Sequence, residues 1–572
     1  MIDYLILGGG SAGCALAARL TEDPKNSVTL VEAGRDLRPD TMTDIIRARY
    51  PGRAMFSTEN IWASLEASMS NPGGNGPSSK PVRYEQARIL GGGSVINAMV
   101  ANRGAPGDYD EWGALGADGW SWETALPYFR KLERECDFDN EFHGKSGPIP
   151  IRRLPKHRVS AFPKAVSDTL VARGYKAHPD QNGAWTDGVF PAAIVLSDND
   201  ERVPVSIGYL TPEVRKRPNL RLITDRQVER LVFEGNRVVG ADTAPADPAS
   251  GGPREQLRAA NVVLCCGGIH SPAMLMRSGI GPADQLQKLG IAVVANLPGV
   301  GQNLMDHCGV ALSTYLPPHA RMPDPEDHHD QALLRYTSSI PDAVPGDMHV
   351  AILARTGWHA VGHRTGTLFI WVNKTYSRGS VALTSADSKI EPKVDFRLLS
   401  DWRDMDRLKE GYRILADTLR DPRMNGMHGH VFPTGFSERV RKVSAPGWFN
   451  TFQMGLLAKL LDYAGGLRTP LIDSVITLGL RLDDLLHDDA KLTSFIGESV
   501  VPVWHASGTC RMGRADDRMA VTDNLGVVRG VEGLRICDAS IFPSIPRANT
   551  NTPTLMMTER IADQIKAGAR GG

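Results

Sequence analysis

Residues 2–20 read IDYLILGGGSAGCALAARL. A short apolar run leads directly into Gly8, Gly10 and Gly13, spaced G-x-G-x-x-G, and then into the small residues Cys14, Ala15, Ala17 and Ala18. The run has the length and bounds of a buried strand, and the small residues suit a helix packed close to a sheet. A second β-rich run, SVTLVEAG at 27–34, completes a strand–turn–helix–strand unit. In such a unit one glycine permits the tight turn, one lets the backbone approach a pyrophosphate, and one lets helix and strand pack closely. Amides at the helix start face the phosphates, helped by the helix dipole. Glu32 ends the second run about 20 residues past the loop, where an acid accepts hydrogen bonds from an adenosine ribose. These residues predict a Rossmann-like dinucleotide site. They do not separate FAD from NAD, although the later strands at 220–270 lean toward FAD.

A chain of 572 residues is expected to form more than one domain. LRLITD and QVERLVFEGNRVVGADT, at 220–243, read as strands with a hairpin turn at Glu234-Gly235-Asn236. NVVLCCGG reads as a further buried strand, with Cys265 and Cys266 as small hydrophobes inside it. LPPHARMPDPEDHHD (316–330) reads as a surface loop, and 345–400 as antiparallel strands. DWRDMDRLKEGYRILADTLR (401–420) is an amphipathic helix by its apolar spacing. The region 449–495 is helical with a break at Pro470, and the last helix carries Pro553 in its first turn.

Composition excludes little. The 65 basic and 65 acidic residues balance, which gives no reason to expect nucleic acid or an anionic surface as partner. Seven scattered cysteines without a C-x-x-C pair argue for a reducing compartment, and no basic leader precedes the glycine loop. The most apolar stretch, 452–467, is interrupted by Lys459 and Asp462 and is too short to span a bilayer. The expectation is a cytoplasmic protein with no transmembrane segment. Histidines at 328–329 and 428–430 are expected to be solvated loop residues and not metal ligands, and Cys510 a packed thiol.

Longer motifs carry a family resemblance. ARILGGGSVINAMVANRGAPGDYDEW (87–112) and GGIHSPAMLMRSGIG (267–281) resemble the two signatures of the glucose–methanol–choline (GMC) oxidoreductases. PGVGQNLMDH (298–307), WHASGTCRMG (504–513) and LRICDASIFPSIPRANTNTPTLMMTERIAD (534–563) are similar to the segments that follow in that family. One departure is Gly268, where alanine or serine is commoner; a second glycine should be harmless there. The resemblance implies an α/β fold: a discontinuous FAD-binding domain (1–155, 206–312 and 496–572) and a substrate domain on an antiparallel sheet (156–205 and 313–495). It implies that Gly8, Gly10, Ser11 and Ala12 meet the pyrophosphate of FAD and Glu32 the ribose, with Gly13 and Ala33 also among the cofactor-binding residues. Val228 then contacts adenine through its backbone. Arg88, Gly93, Asn97, Ala98, Met99 and Val100 line the flavin side, with Trp504 and Thr550 nearby, and Asp538 and Ala539 approach the flavin's chain. Relatives that attach FAD covalently do so through a histidine; the matching position here is Ile96, so FAD is expected to be non-covalent.

An oxidised alcohol gives up a hydroxyl proton and a carbon-bound hydride. The cofactor takes the hydride and the protein must take the proton, work that suits histidine. The resemblance assigns the base to His505 and the orienting group to Asn549, which cannot itself act as a base. YEQARILGGG, HGKSGPIPI, WVNK and WHASGT resemble one branch in particular, bacterial oxidases of 5-hydroxymethylfurfural and related aryl alcohols. That branch uses dioxygen as acceptor and gives hydrogen peroxide, and in it Val372 and Trp504 match substrate-pocket positions. The helical stretch 449–480 is longer than in that branch, which suggests a lid, an oligomer contact or a membrane-surface helix. The alternatives are a choline-like, sugar or aliphatic alcohol dehydrogenase with a quinone acceptor, and a non-redox lyase or photodecarboxylase that also binds FAD.

Overall fold

The structure is a computed structural model that describes residues 2–435 and 438–570. Strand β1 (Ile2–Leu7) runs through the glycine loop into α1 (Ser11–Leu20) and then β2 (Val28–Val31), as the opening motif requires. The sheet is extended by β3 (Leu220–Ile223), the hairpin β4 (Arg226–Glu234) and β5 (Arg237–Pro245), and β6 (Glu255–Leu264). Its order is β3–β2–β1–β6–β5–β4, with Leu534–Ile536 also on β6. β3, β2, β1, the second half of β6 and Leu534–Ile536 are mutually parallel, while β4, β5 and the first half of β6 are antiparallel. The hairpin turns at Gly235-Asn236, with Gly235 at φ 60°.

A second sheet is antiparallel throughout. It orders strand Val431–Thr434, then β7 (Cys308–Tyr315), strand Thr365–Val372, strand Met348–Leu353, strand Asp330–Tyr336 and strand Gly188–Pro191. Helix α2 (Trp402–Leu419), capped by the Asp401 carboxylate on the Arg403 N–H at 3.0 Å, packs on one face. Helix α3 (Trp448–Tyr463) covers a different edge, burying Met454, Ala458 and Leu461 with Tyr315 and Phe432. The chain ends in α4 (Asn551–Arg570), which lies against α1 and joins it by an Arg19–Glu559 ion pair at 2.8 Å. No helix among the described residues is long and apolar enough to cross a membrane.

Four local expectations need correction. Pro470 does not break the helical region: α3 ends at Tyr463, before Gly465 in the left-handed conformation (φ 51°). Pro470 sits inside the short helix Arg468–Leu471, early enough that its missing N–H has no intrahelical partner to lose. The segment 316–330 is exposed at Pro318, His319 and Pro323–Pro325, but Leu316, Ala320, Met322, Asp327 and His328 are buried. His328 is no solvated loop residue, since its two ring nitrogens lie 2.9 Å from the Asp330 and Ala98 carbonyls. Cys265 and Cys266 fall just beyond β6, where the Cys265 N–H bonds the Leu7 carbonyl at 2.7 Å.

Candidate active site

The glycine loop divides its work by position. Gly8 has φ +104°, and a Cβ there would lie 2.5 Å from the Cys265 carbonyl oxygen. A Cβ on Gly13 would lie 2.0 Å from the Gly8 carbonyl, so this glycine serves the close contact of helix and strand. Gly10 differs: its Cβ would meet only the Cys265 carbonyl, at 3.9 Å, and would otherwise project into a cavity. The first signature packs on this loop through the Gly91 N–H on the Gly9 carbonyl at 2.7 Å, and a Cβ on Gly93 would meet nothing. The N-termini of α1 and α4 converge here, where the Ser11 hydroxyl donates to Asn551 Oδ1 at 2.6 Å. Glu32 holds the turn in shape, accepting the N–H groups of Gly9 (2.8 Å) and Gly34 (2.7 Å). Burial pushes its carboxyl up and those two bonds oppose the shift.

The cavity measures about 1130 Å³ and runs from Glu32, Val228 and Arg277 at one end to His505, Asn549 and Trp371 at the other. Its volume, the open space at Gly10 and Gly93 and the two helix N-termini fit an extended dinucleotide such as FAD. Gly8, Gly10, Ser11, Ala12, Glu32, Ala33, Gly93, Asn97, Ala98, Met99, Val100, Val228, Trp504, Asp538, Ala539 and Thr550 line it, as do His505 and Asn549. Three expected residues do not. Gly13 is a packing position. Arg88 turns its guanidinium to the Ala246 carbonyl (3.1 Å) and over the Trp62 ring. Val372 lies on the far face of its strand: side chains alternate, so Thr365, Thr367, Phe369 and Trp371 face the cavity and Val372 does not. Gly268 is more than harmless, because a Cβ there would lie 2.4 Å from the Ala506 carbonyl.

At the far end a file of polar groups fixes the orientation of His505 and Asn549. Gln181 Nε2 donates to Asn102 Oδ1, and Asn102 Nδ2 donates to Asn549 Oδ1 at 2.6 Å. Asn549 must therefore present its NH₂, and Nδ2 lies 3.3 Å from His505 Nε2. On the other side of the ring, His505 Nδ1 lies 2.8 Å from His307 Nδ1, and His307 Nε2 lies 3.1 Å from the Pro546 carbonyl. That carbonyl can only accept, so His307 donates from Nε2, accepts at Nδ1, and leaves His505 protonated on Nδ1. His505 Nε2 then carries the ring's lone pair, which accepts from the Asn549 amide at the cavity wall. Burial, with the His307 ring adding to it, pulls His505 well below the ordinary imidazole range, and burial brings His307 to about 3. The Asp306 carboxylate clamps the loop by accepting from the His505 and Val503 backbone N–H groups (2.8 and 3.0 Å). Trp504 between them is left-handed (φ 59°), as is Met99 (φ 60°) on the opposite wall. Strained backbone at two facing positions is a mark of functional sites. Sequence reasoning gave no role to Asn102, Asp306, His307 or Trp371; Asp306 and His307 were visible only as members of the NLMDH stretch.

A glycine-lined cradle joined to a neutral, lone-pair-bearing imidazole defines a dinucleotide-dependent oxidoreductase. Family profiles described as GMC oxidoreductase match residues 2–309 and 375–558. The chain belongs to the GMC oxidoreductase family, and it is an FAD-dependent enzyme that oxidises alcohols. It is 40% identical to a 5-(hydroxymethyl)furfural oxidase of Methylovorus sp. (strain MP688), over 99% of this chain and 98% of that one. It is 31% identical to oxygen-dependent choline dehydrogenase 1 of Chromohalobacter salexigens, over 99% of this chain and 94% of the relative. The crystal structure of pyridoxine 4-oxidase from Mesorbium loti superposes with TM-score 0.80 at 25% identity, covering 99% of both chains.

Proposed function

We propose that the protein oxidises primary alcohols borne on an aromatic or furan ring, with dioxygen as electron acceptor and hydrogen peroxide as product. The observation that carries this reading is the pairing of the His505 lone pair with the Asn549 donor, 3.3 Å apart, beside the flat walls of Phe369 and Trp371. The substrate hydroxyl donates to His505 Nε2 and its oxygen accepts from Asn549 Nδ2, so the hydroxyl proton has a destination and the carbinol carbon a fixed direction. Trp371 is held rigid by His349 stacked 4.0 Å behind it. FAD, when bound, supplies a two-electron acceptor that dioxygen restores. Gly10, Ser11 and the N-terminus of α4 are placed for its pyrophosphate, Glu32 for its ribose, and Asn97–Val100 with Ala539 for the ring end. Ile96 lines the cavity where covalent relatives carry histidine, so the flavin is held non-covalently. The two sheets act as cofactor and substrate units, and the seven free thiols suit a reducing compartment such as the cytoplasm.

Anaerobic mixing with an alcohol panel tests this reading. Benzylic and furfuryl alcohols should bleach the flavin at rates at least tenfold above choline or short aliphatic alcohols, and admitting air should restore the yellow colour with stoichiometric peroxide. Faster bleaching by choline, or a reduced flavin that air leaves unchanged, would overturn it.

A second prediction concerns His307. Replacing it with phenylalanine removes the acceptor that fixes the His505 tautomer while keeping an aromatic ring at the buried position. Flavin content should be unchanged and the reduction rate should fall about 10- to 100-fold, the usual cost of losing a partner that orients a reacting imidazole. A shifted acid limb in the pH profile of reduction would separate tautomer control from simple loss of packing; an unaltered rate and profile would dismiss it.

A further inference from the structure

Helix α3 and the segment after it roof the cavity, with Met454, Leu457, Val475 and Ile476 turned inward to line it. The opposite side of α3 is bare. Trp448, Phe452, Leu456, Leu460 and Tyr463 recur at intervals of three or four residues and are 82%, 67%, 54%, 51% and 88% exposed. That spacing makes one continuous stripe along the helix, and an apolar stripe of this size left in water marks an interaction surface.

The charge around the stripe identifies the partner. Over residues 439–481 the exposed ionic groups are Arg439, Lys442, Lys459 and Arg481, all cationic. The carboxylates of that segment are engaged: Asp462 pairs with Arg321 (2.6 Å) and Arg364 (2.7 Å), and Asp473 with His430 (2.7 Å). The exposed charges of α3 and its flanks over 439–481 are thus cationic, with Asp483 and Asp484 exposed just beyond them. A two-fold contact with a second copy through this face would set cations against cations. A helix with tryptophan, tyrosine and phenylalanine on its apolar side and cations at its margins matches instead the headgroup layer of an anionic bilayer. We propose that α3 docks this protein on anionic phospholipid surfaces, lying in the interface without crossing it. Leu478, 72% exposed, and Arg439 also line the cavity, so its opening lies beside the docked face.

Flotation of the flavin-containing full chain with phosphatidylglycerol–phosphatidylcholine vesicles tests the proposal. At low salt the protein should float with these vesicles, and several-fold less with pure phosphatidylcholine or at raised salt. The triple substitution Trp448→Ser, Phe452→Ser, Leu456→Ser should reduce flotation at least tenfold with the flavin absorbance intact. The pair Lys442→Glu, Lys459→Glu should abolish the preference for the anionic lipid, and it decides the matter alone if the triple variant loses flavin. Wild-type protein that stays unbound at low salt would overturn the proposal, as would substitutions that leave binding unchanged. Sedimentation showing a dimer that the triple variant converts to monomer would also overturn it, by assigning the stripe to a second copy.

Discussion

The His505→Ala variant is expected to purify yellow and to lose alcohol-driven bleaching by a factor of about 10²–10⁴, the usual contribution of a positioned base. His505 pairs with Asn549 at the reacting end and is not a member of the glycine loop, so cofactor retention should survive. Stopped-flow reduction under nitrogen measures the effect directly; a wild-type rate would remove His505 from the mechanism. The wild-type pH profile carries a second signature. With His505 as the proposed base the neutral ring is the active form, and burial lowers its pKa. The base form therefore persists below the ordinary imidazole value of about 6.5, and reduction should hold steady as pH falls through that value, declining only in more acid solution. A decline centred at or above 6.5 would contradict the buried geometry.

Gly10→Val is expected to fold and to stay colourless. A Cβ at Gly10 meets only one carbonyl, at 3.9 Å, and on the proposed reading the side chain enters the space of the pyrophosphate, so the scaffold should tolerate it while the cofactor should not. Gly13→Val should behave oppositely, failing to fold, because its Cβ would lie 2.0 Å from the Gly8 carbonyl. Circular dichroism and flavin absorbance on both variants distinguish the cases. A Gly10→Val protein with a full complement of FAD would disprove the assignment of the loop.

What could be read from the sequence is what local pattern encodes. The glycine turn between β1 and α1, the hairpin at Gly235 and the helix Trp402–Leu419 each follow from residues close together in the chain. What was missed depends on contacts between distant segments or on the phase of a strand. Val372 and Trp371 are neighbours in an apolar run buried on both sides, so periodicity could not say which faces the cavity; the partners of the strand decide it. His307 gains its importance from a ring 198 positions away, and Asn102 from an amide 447 positions away. His328 looked like loop because its neighbours are proline and aspartate, but its ring closes two carbonyls in the interior.

The clasp between Ser11 and Asn551 has a consequence for biosynthesis. The two residues it joins stand 540 positions apart, and β6 and Leu534–Ile536 must also be in place to complete the sheet behind the glycine loop. During synthesis the loop therefore waits for distant segments before it is closed. Removing α4 or Leu534–Ile536 should damage the N-terminal βαβ unit far more than the number of residues lost would suggest.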